Sequence, residues 1–257
     1  MSNHSLNFDH ETRGWVDLIP SRVPRPKLTS QVETKWLVIG AGFTGLSCSR
    51  RLAELNHNEK IVLLEAREDG QSASGRNSGY AVEHSHFSGG YQKDQVRQYE
   101  RVDRINQTGL DSLKSIIDKN HINCDFKESG IYHMAADKNS SEECDYFVYY
   151  LKKRQIEHVP LSQDQINLEL GTSWYRKGVK VKNGALVQPA KLVFGLADNL
   201  PSNVELYENS PVLGIEYGKI NTIRLPNLTI KAENIIMACN YESLAKGQQK
   251  QRVVGVT

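Results

Sequence analysis

Between positions 35 and 39 the chain reads KWLVI, a short apolar, β-branched run that stops at Gly40 and has the pattern of a buried parallel strand. Gly45, Leu46, Ser49, Leu52 and Ala53 then recur at helical spacing, which predicts a helix with a narrow face suited to packing on a sheet. A polar turn at 56–59 ends it, and 60–64 (KIVLL) is a second apolar run. Two apolar strands joined through a helix predict a right-handed βαβ crossover. This is the best-defined unit in the chain.

Downstream, a Ser/Gly-rich loop at 70–90 precedes Tyr99, Val102, Ile105, Gly109, Leu113 and Ile116, whose spacing predicts a long amphipathic helix up to Lys119. Short strands are expected at 124–126 and 131–134, around the turn Glu128-Ser-Gly130. A helix is expected over 141–154 with Phe147, Tyr150 and Leu151 inward, and another over 189–200. Strands are expected at 204–208, 212–217 and 234–239, the last reading NIIMAC. Residues 1–34, with Pro20, Pro24 and Pro26 among polar neighbours, read as an irregular arm. No internal repeat or low-complexity segment interrupts the order βαβ, α+β insert, β.

Composition narrows the function classes. With 257 residues, 39% hydrophobic and 24% charged, the chain can bury a core of one large or two modest domains. The 32 basic and 30 acidic residues nearly cancel, which removes a basic stripe for nucleic acid and an acidic disordered tail. Cys48, Cys124, Cys144 and Cys239 form no C-x-x-C pair, so neither a zinc nor a redox motif is expected, and free thiols are. No signal-peptide pattern opens the chain and no stretch approaches about 18 apolar residues, so a cytoplasmic protein acting without a membrane or nucleic acid is expected. A mean hydropathy of −0.52 is polar for a complete enzyme and hints at a partial core.

The chemistry-bearing motif is Gly40-Ala-Gly42-Phe-Thr-Gly45, a G-x-G-x-x-G between predicted strand and helix, with Glu65 closing the second strand twenty residues after Gly45. Gly40 permits the tight turn, Gly42 lets backbone approach a pyrophosphate, and Gly45 allows close packing of helix on strand. The helix N-terminus supplies N–H groups and the positive end of a dipole, and Glu65 would accept ribose hydroxyls. The pattern requires a dinucleotide without saying which. The following SASGRNSG segment, 72–79, has residues small enough for backbone to run along an extended ligand, although such clusters ordinarily mark surface turns.

Other candidates are weaker. His84-Ser-His86 places two imidazoles at i, i+2, but no further ligands at metal spacing accompany them and no metal is expected. Cys48 in the first helix and Cys239 in an apolar strand read as core thiols rather than nucleophiles. Tyr146, Tyr149 and Tyr150 beside Lys152, Lys153 and Arg154 read as a solvated helical face in a neutral chain. No Ser–His–Asp set or carboxylate pair emerges from spacing, so no catalytic residue is assigned.

VIGAGFTGLS, LLEA, SASGRNSGY, CDFKESGIY, QPAKLVFGLA, ENSPVLGIE and NIIMACN, in that order, resemble the FAD-dependent D-amino-acid-oxidase-like superfamily, and within it the gamma-glutamylputrescine oxidase-like group. The resemblance runs from about Trp15 to about Leu244. It implies an α/β fold: a Rossmann-like FAD/NAD(P)-binding domain over 35–120 and 186–245, and an inserted, incomplete α+β substrate domain over 121–185. The arm 1–34 and a tail 246–257 flank these. It further implies that Gly40, Gly42, Thr44 and Gly45 hold the FAD pyrophosphate, Glu65 and Arg67 the adenosine ribose, and Ser74, Gly75, Arg76, Asn77, Ser78 and Gly79 the ribityl and flavin side. Val212, on a returning strand, would meet adenine through its backbone, and the loop from Ala238 to Asn240 would close over the cofactor.

Two departures accompany the match. Ser78 stands where relatives often carry a second glycine in GRNGG, and a glycine-rich strand pair appears as RKGVKVKNGALV. The chain also ends at VVGVT where family members continue, so a partial family member is expected. The resemblance implies oxidation of a C–N bond of a small amine or amino acid, with oxygen or another acceptor reoxidising the flavin. The rival readings are a silent fragment that keeps an ADP-binding half, and an NAD-dependent dehydrogenase sharing the fingerprint, which the SGRNSG loop disfavours.

Overall fold

The parallel strands that carry the glycine motif follow from the apolar runs around it. In a computed structural model describing residues 14–84 and 96–240, strand β1 covers Val32–Ile39, helix α2 Phe43–Leu55 and strand β2 Ile61–Leu64, after a single short helical turn, α1, at Gly14–Asp17. All four residues of β2 are buried, as expected of a parallel strand covered on both faces. β1 is parallel to β2 with Leu37 opposite Val62 and Ile39 opposite Leu64. Strand β12, Thr229–Met237, flanks β1 in parallel on the other side, with Trp36 opposite Asn234 and Ile39 opposite Met237.

Strand β9, Val204–Tyr207, extends the parallel set beyond β2, and β10 (Gly214–Glu216) and β11 (Asn221–Arg224) complete a six-stranded sheet in the order β10-β11-β12-β1-β2-β9. Its two antiparallel pairs lie at the β10-β11-β12 edge. Leu37, Ile39, Val62, Leu64, Ile223, Ile230 and Ala232 form the centre of one core, which Leu28 joins from the arm. Helix α6, Pro189–Asp198, starts with proline at its first turn and Gln188 capping Lys191 N, and buries Leu192, Val193 and Leu196.

By contacts the chain forms two compact units. Among the described residues the first comprises 14–78, 122–124 and 188–240, and the second 79–84, 96–121 and 125–187. The long helix α3, Val96–Asn120, therefore groups with the second unit, whereas the family resemblance implied one domain over 35–120 and 186–245.

The second unit holds two three-stranded sheets. One is β3 (Tyr80–Ala81), β8 (Ala185–Leu186) and β4 (Lys127–Glu128); the other is β5 (Ile131–Ala135), β7 (Lys177–Val181) and β6 (His158–Ser162), each in spatial order. Helix α4, Lys138–Lys153, is set by a capping box between Asp137 and Ser140 and buries Phe147, Tyr150 and Leu151, as its spacing predicts. Helix α5, Gln163–Leu170, is capped by Ser162 and Gln165 and closes on Gly171 in the left-handed region. Tyr99, Phe147, Tyr150, Leu151, Val179 and Val181 share this unit's core.

Several expectations need correction. No strand forms at 124–126: the Cys124 carbonyl instead accepts from Gln188 N at 2.8 Å, Asp125 has a φ of 53°, and pairing starts at Lys127. Val212 lies outside β10, because Pro211 has no N–H to donate and the ladder begins only with Leu213 N donating to Arg224 O. β12 starts five residues earlier than expected, at Thr229, and ends at Met237, leaving Cys239 beyond the strand. Tyr150 is buried while Tyr146 and Tyr149 are exposed, so the aromatic cluster on α4 is split between core and solvent. None of the four cysteines forms a disulfide; Cys48 and Cys239 are only half-buried, and burial raises the Cys48 thiol. His86 and the tail 246–257 lie outside the described residues.

Candidate cofactor site

The glycine motif sits at the carboxyl end of β1, where open α/β sheets bind ligands. Gly40 turns the chain with a φ of 101°, and its N–H donates to Leu64 O at 2.7 Å, so the turn is tied to β2. A Cβ at Gly40 would lie 2.7 Å from the Ala238 carbonyl oxygen, and Ala238 N donates to Ile39 O at 2.8 Å. The segment after β12 is thereby held against the turn. At Gly45 a Cβ would collide with the Gly40 carbonyl oxygen and touch the Ala238 methyl at 3.4 Å, which is the close helix–strand approach the motif requires.

Gly42 is the N-cap of α2 and brings no side chain of its own to cap it. The first intrahelical bond is Leu46 N to Gly42 O at 2.9 Å, so the N–H groups of 42–45 precede the helical ladder. Ser74 Oγ accepts from Phe43 N at 3.0 Å, and a Cβ on Gly42 would lie 2.8 Å from the same oxygen. Backbone N–H groups thus gather at the positive end of α2, the end of a helix that favours an anion, and a side chain at 42 would press on Ser74.

Glu65, 7% exposed at the end of β2, accepts from Ala41 N at 2.8 Å through one carboxylate oxygen and from Arg67 N at 3.1 Å through the other. Its backbone is fixed to the neighbouring strand: Glu65 N donates to Tyr207 O at 2.8 Å and Ser210 N to Glu65 O at 2.9 Å. A carboxylate held by two backbone donors keeps lone pairs for hydroxyl donors.

The 72–79 segment is compact rather than loose. Ala73–Gly75 forms a single 3-10 turn, and Asn77 Nδ2 closes it by donating to Ser74 O at 2.8 Å. Gly75 is buried, and a Cβ there would collide with Gly70, which itself has a φ of 77°. Trp15 Nε1 donates to Asn77 O at 2.8 Å, and Gln188 Nε2 donates to Trp15 O at 2.8 Å, so the arm and α6 brace the turn from outside.

Among the expected site residues, Gly40, Gly42, Gly45, Glu65, Ser74, Gly75 and Ala238 are brought into contact, with Arg67 joined through its backbone. The side chains of Thr44, Arg76 and Ser78 are exposed. Val212 is buried in the core with Leu37 and Leu64. Asn240 is exposed with a φ of 49°, and Gly79 belongs to the second unit, where its carbonyl accepts from Val187 N at 2.9 Å. Among the described residues no cluster of His, Cys, Asp and Glu is placed to hold a metal ion. No helix among them is long and apolar enough to cross a membrane.

Sequence spacing did not reveal the residues that brace this site. Trp15 and Glu208 lie far from the motif in the chain, and only the fold brings them against the 65–77 segment.

Comparison with known proteins places these features in a wider set. A family described as FAD dependent oxidoreductase (DAO) matches residues 35–256. The chain is similar to the gamma-glutamylputrescine oxidoreductase of Escherichia coli (strain K12), at 27% identity over 84% of this chain and 51% of that protein. It is also similar to the probable oxidoreductase OrdL of Haemophilus influenzae, at 25% identity over 91% and 56% respectively. Among solved structures, glycine oxidase from Geobacillus kaustophilus superposes with a TM-score of 0.70 at 16% identity, covering 84% of this chain and 58% of that one. The L-amino acid deaminase of Proteus myxofaciens gives 0.69 at 16% identity, covering 91% and 51%. The chain thus spans about half the length of the curated relatives it matches.

Proposed function

The chain belongs to the DAO family of FAD dependent oxidoreductases, and from that premise we propose that it holds FAD at the α2 N-terminus and serves the oxidation of a C–N bond in a small amine or amino acid. The observation that carries the residue assignment is the cradle of Gly42, Ser74 and Phe43 N, which a single added Cβ would fill. The N–H groups of Gly42, Thr44 and Gly45 meet the pyrophosphate while Ser74 Oγ holds that of Phe43, and the helix dipole favours the ligand's charge. Glu65 accepts from the adenosine ribose hydroxyls while Ala41 N and Arg67 N keep its carboxylate in place.

The Ser74–Gly79 stretch runs beside the ribityl chain and flavin. Ser78, exposed and polar, adds a hydroxymethyl to this stretch. The Val212 backbone and the 238–240 segment complete the adenine and flavin edges. Bound FAD supplies the electron acceptor for the amine, and the resulting imine hydrolyses in water. The chain's own contribution is orientation and exclusion of water around the reacting carbon.

Relatives named for gamma-glutamylputrescine, glycine and L-amino acids define the substrates to try. The test is to load the 257-residue chain with FAD, add each amine anaerobically, and follow the flavin absorbance. Bleaching by one of them supports the proposal. Retained flavin that none reduces favours a nucleotide-binding chain without turnover. Binding of NAD in preference to FAD would overturn the cofactor assignment.

A further inference from the structure

The segment ahead of β1 carries two arginines into a pair of buried carboxylates. Arg25 Nε donates to Asp69 Oδ2 at 2.8 Å, its Nη2 to Asp198 Oδ1 at 2.5 Å, and its backbone N–H to Glu208 Oε2 at 2.6 Å. Arg22 pairs with Glu208 through both guanidinium nitrogens and lies 3.9 Å from Asp69. The side chains of Asp69 and Glu208 are fully buried, and those of Arg22 and Arg25 are 23% and 22% exposed. Each arginine thus reaches its acid across a long stretch of chain, 44 residues to Asp69 and 186 to Glu208.

A continuous set of contacts runs from these acids to the cofactor site. Asp69 N donates to Glu208 Oε1 at 2.7 Å, which fixes the start of the loop. The next residue, Gly70, packs against both Phe194 and Gly75, and the Arg22 guanidinium lies over the Phe194 ring at 4.8 Å. Gly75 sits beside Ser74, whose hydroxyl takes the Phe43 N–H at the α2 N-terminus. On the other flank Asn209 N donates to Arg67 O at 3.0 Å, next to Glu65.

Resting on the FAD reading above, we infer that Arg22 and Arg25 are positioning residues for the cofactor: by neutralising Asp69 and Glu208 they hold the 65–76 loop in the shape that receives the adenosine and pyrophosphate half. Two buried carboxylates in contact need cations, because burial penalises each charge and each repels the other. Glu208, although burial alone would raise it, is held below its ordinary range by Arg22 and by the N–H groups of Asp69 and Arg25. Asp69 is the acid that yields: burial and the neighbouring Glu208 lift it to about 7 in spite of Arg25. Among the described residues its Oδ1 has no hydrogen-bond partner. Without Arg25, an ionised Asp69 would have to reach water, and the loop would move with it.

The groups facing Asp69 are Arg22 and Arg25 from the arm and Glu208 after β9, with Asp198 of α6 reached through Arg25. Loss of Arg25 should therefore matter most where Asp69 would otherwise be charged. The experiment titrates FAD into the full chain by flavin fluorescence at pH 6 and pH 8.5, with hydrogen exchange of the 65–76 segment followed in the FAD-free protein. Arg25→Gln is expected to raise the FAD Kd about tenfold at pH 8.5 and less than about threefold at pH 6, and to speed exchange over 65–76 at the higher pH. Adding Asp69→Asn, which removes the charge to be compensated, should restore both. If Arg25→Gln does not fold, Arg25→Ala with Asp69→Asn against Arg25→Ala alone carries the same comparison. Wild-type affinity and wild-type exchange in Arg25→Gln at pH 8.5 would overturn the inference, as would a loss that ignores pH and is not relieved by Asp69→Asn. A wild-type chain that binds no FAD would instead overturn the cofactor reading, and with it the role assigned here.

Discussion

Each unit of this protein buries carboxylates, and the two settle them differently. In the first, Asp69 and Glu208 are met by the guanidinium groups of Arg22 and Arg25, and Glu208 also by the backbone N–H groups of Arg25 and Asp69. In the second, Asp103 is 3% exposed in an aromatic core, where it meets His84 Nδ1 at 3.0 Å and the Tyr150 hydroxyl, which donates to the same oxygen. The rings pack edge to face around it, Tyr99 on Tyr150 with centroids 5.6 Å apart and His84 on Phe147 at 6.0 Å. Charge neutralisation shapes a loop in the first unit. In the second, hydrogen bonds stitch α3, α4 and the segment after β3 into one core.

This contrast sets an order of sensitivity. The largest expected loss comes from Glu208→Ala, which leaves Arg22 and two backbone donors without their buried acceptor; about 3–5 kcal/mol of unfolding free energy should disappear in urea titrations. Tyr150→Phe removes one donor from a buried acid and keeps the packed ring, so a loss of about 1–3 kcal/mol is expected. Burial first, and then the bond to Asp103, raise the Tyr150 hydroxyl above its ordinary range, so it stays a donor throughout neutral pH. A Tyr150→Phe loss larger than that of Glu208→Ala would reverse the comparison.

The third expected effect is a pH dependence. Asp69 has its pKa raised on folding, to about 7, so its protonation stabilises the folded state below its unfolded value of 3.8, and that contribution declines as pH climbs to 7. Relative to Asp69→Asn, the wild type should therefore lose stability as pH rises between those values and run parallel to it above them. Glu208 has the opposite sign: lowered on folding, it stabilises above 4.5 and loses that contribution as pH falls through its folded value. Paired melts of the two proteins across pH 4–8 would expose a wrong sign at once.

How far these features can be read from the sequence depends on distance along the chain. The β1–α2–β2 crossover was legible because parallel strands covered on both faces leave continuous apolar runs, and the glycines mark the turn between them. β6 was missed: HVPLS carries Pro160 and only Leu161 is fully buried, so it leaves no apolar run. α5 was also missed, although Ser162 and Gln165 spell a capping box and Gly171 a left-handed stop, a signal that reading caps before periodicity would have found. β7 showed its alternation only in part, with Val179 and Val181 inward.

The candidate site divides along the same line. Gly40, Gly42, Gly45 and Glu65 are local to the motif and were legible. The Ser74 bond to Phe43 N spans 31 residues, and the Arg22–Glu208 pair spans 186; no spacing rule links such positions before the fold is known. The expected place of Val212 on a strand failed for a local reason, the proline beside it.

The account stands or falls on whether the cradle at the α2 N-terminus receives FAD. Flavin titration of the wild type beside Gly42→Val tests this directly, because the branched side chain would fill the space next to Ser74 Oγ. Saturable binding by the wild type is expected, with no measurable FAD retained by Gly42→Val and an intermediate loss in Glu65→Gln, which keeps an acceptor but gives up a charge-assisted bond. Equal flavin occupancy in wild type and Gly42→Val, both shown folded by circular dichroism, would contradict the account.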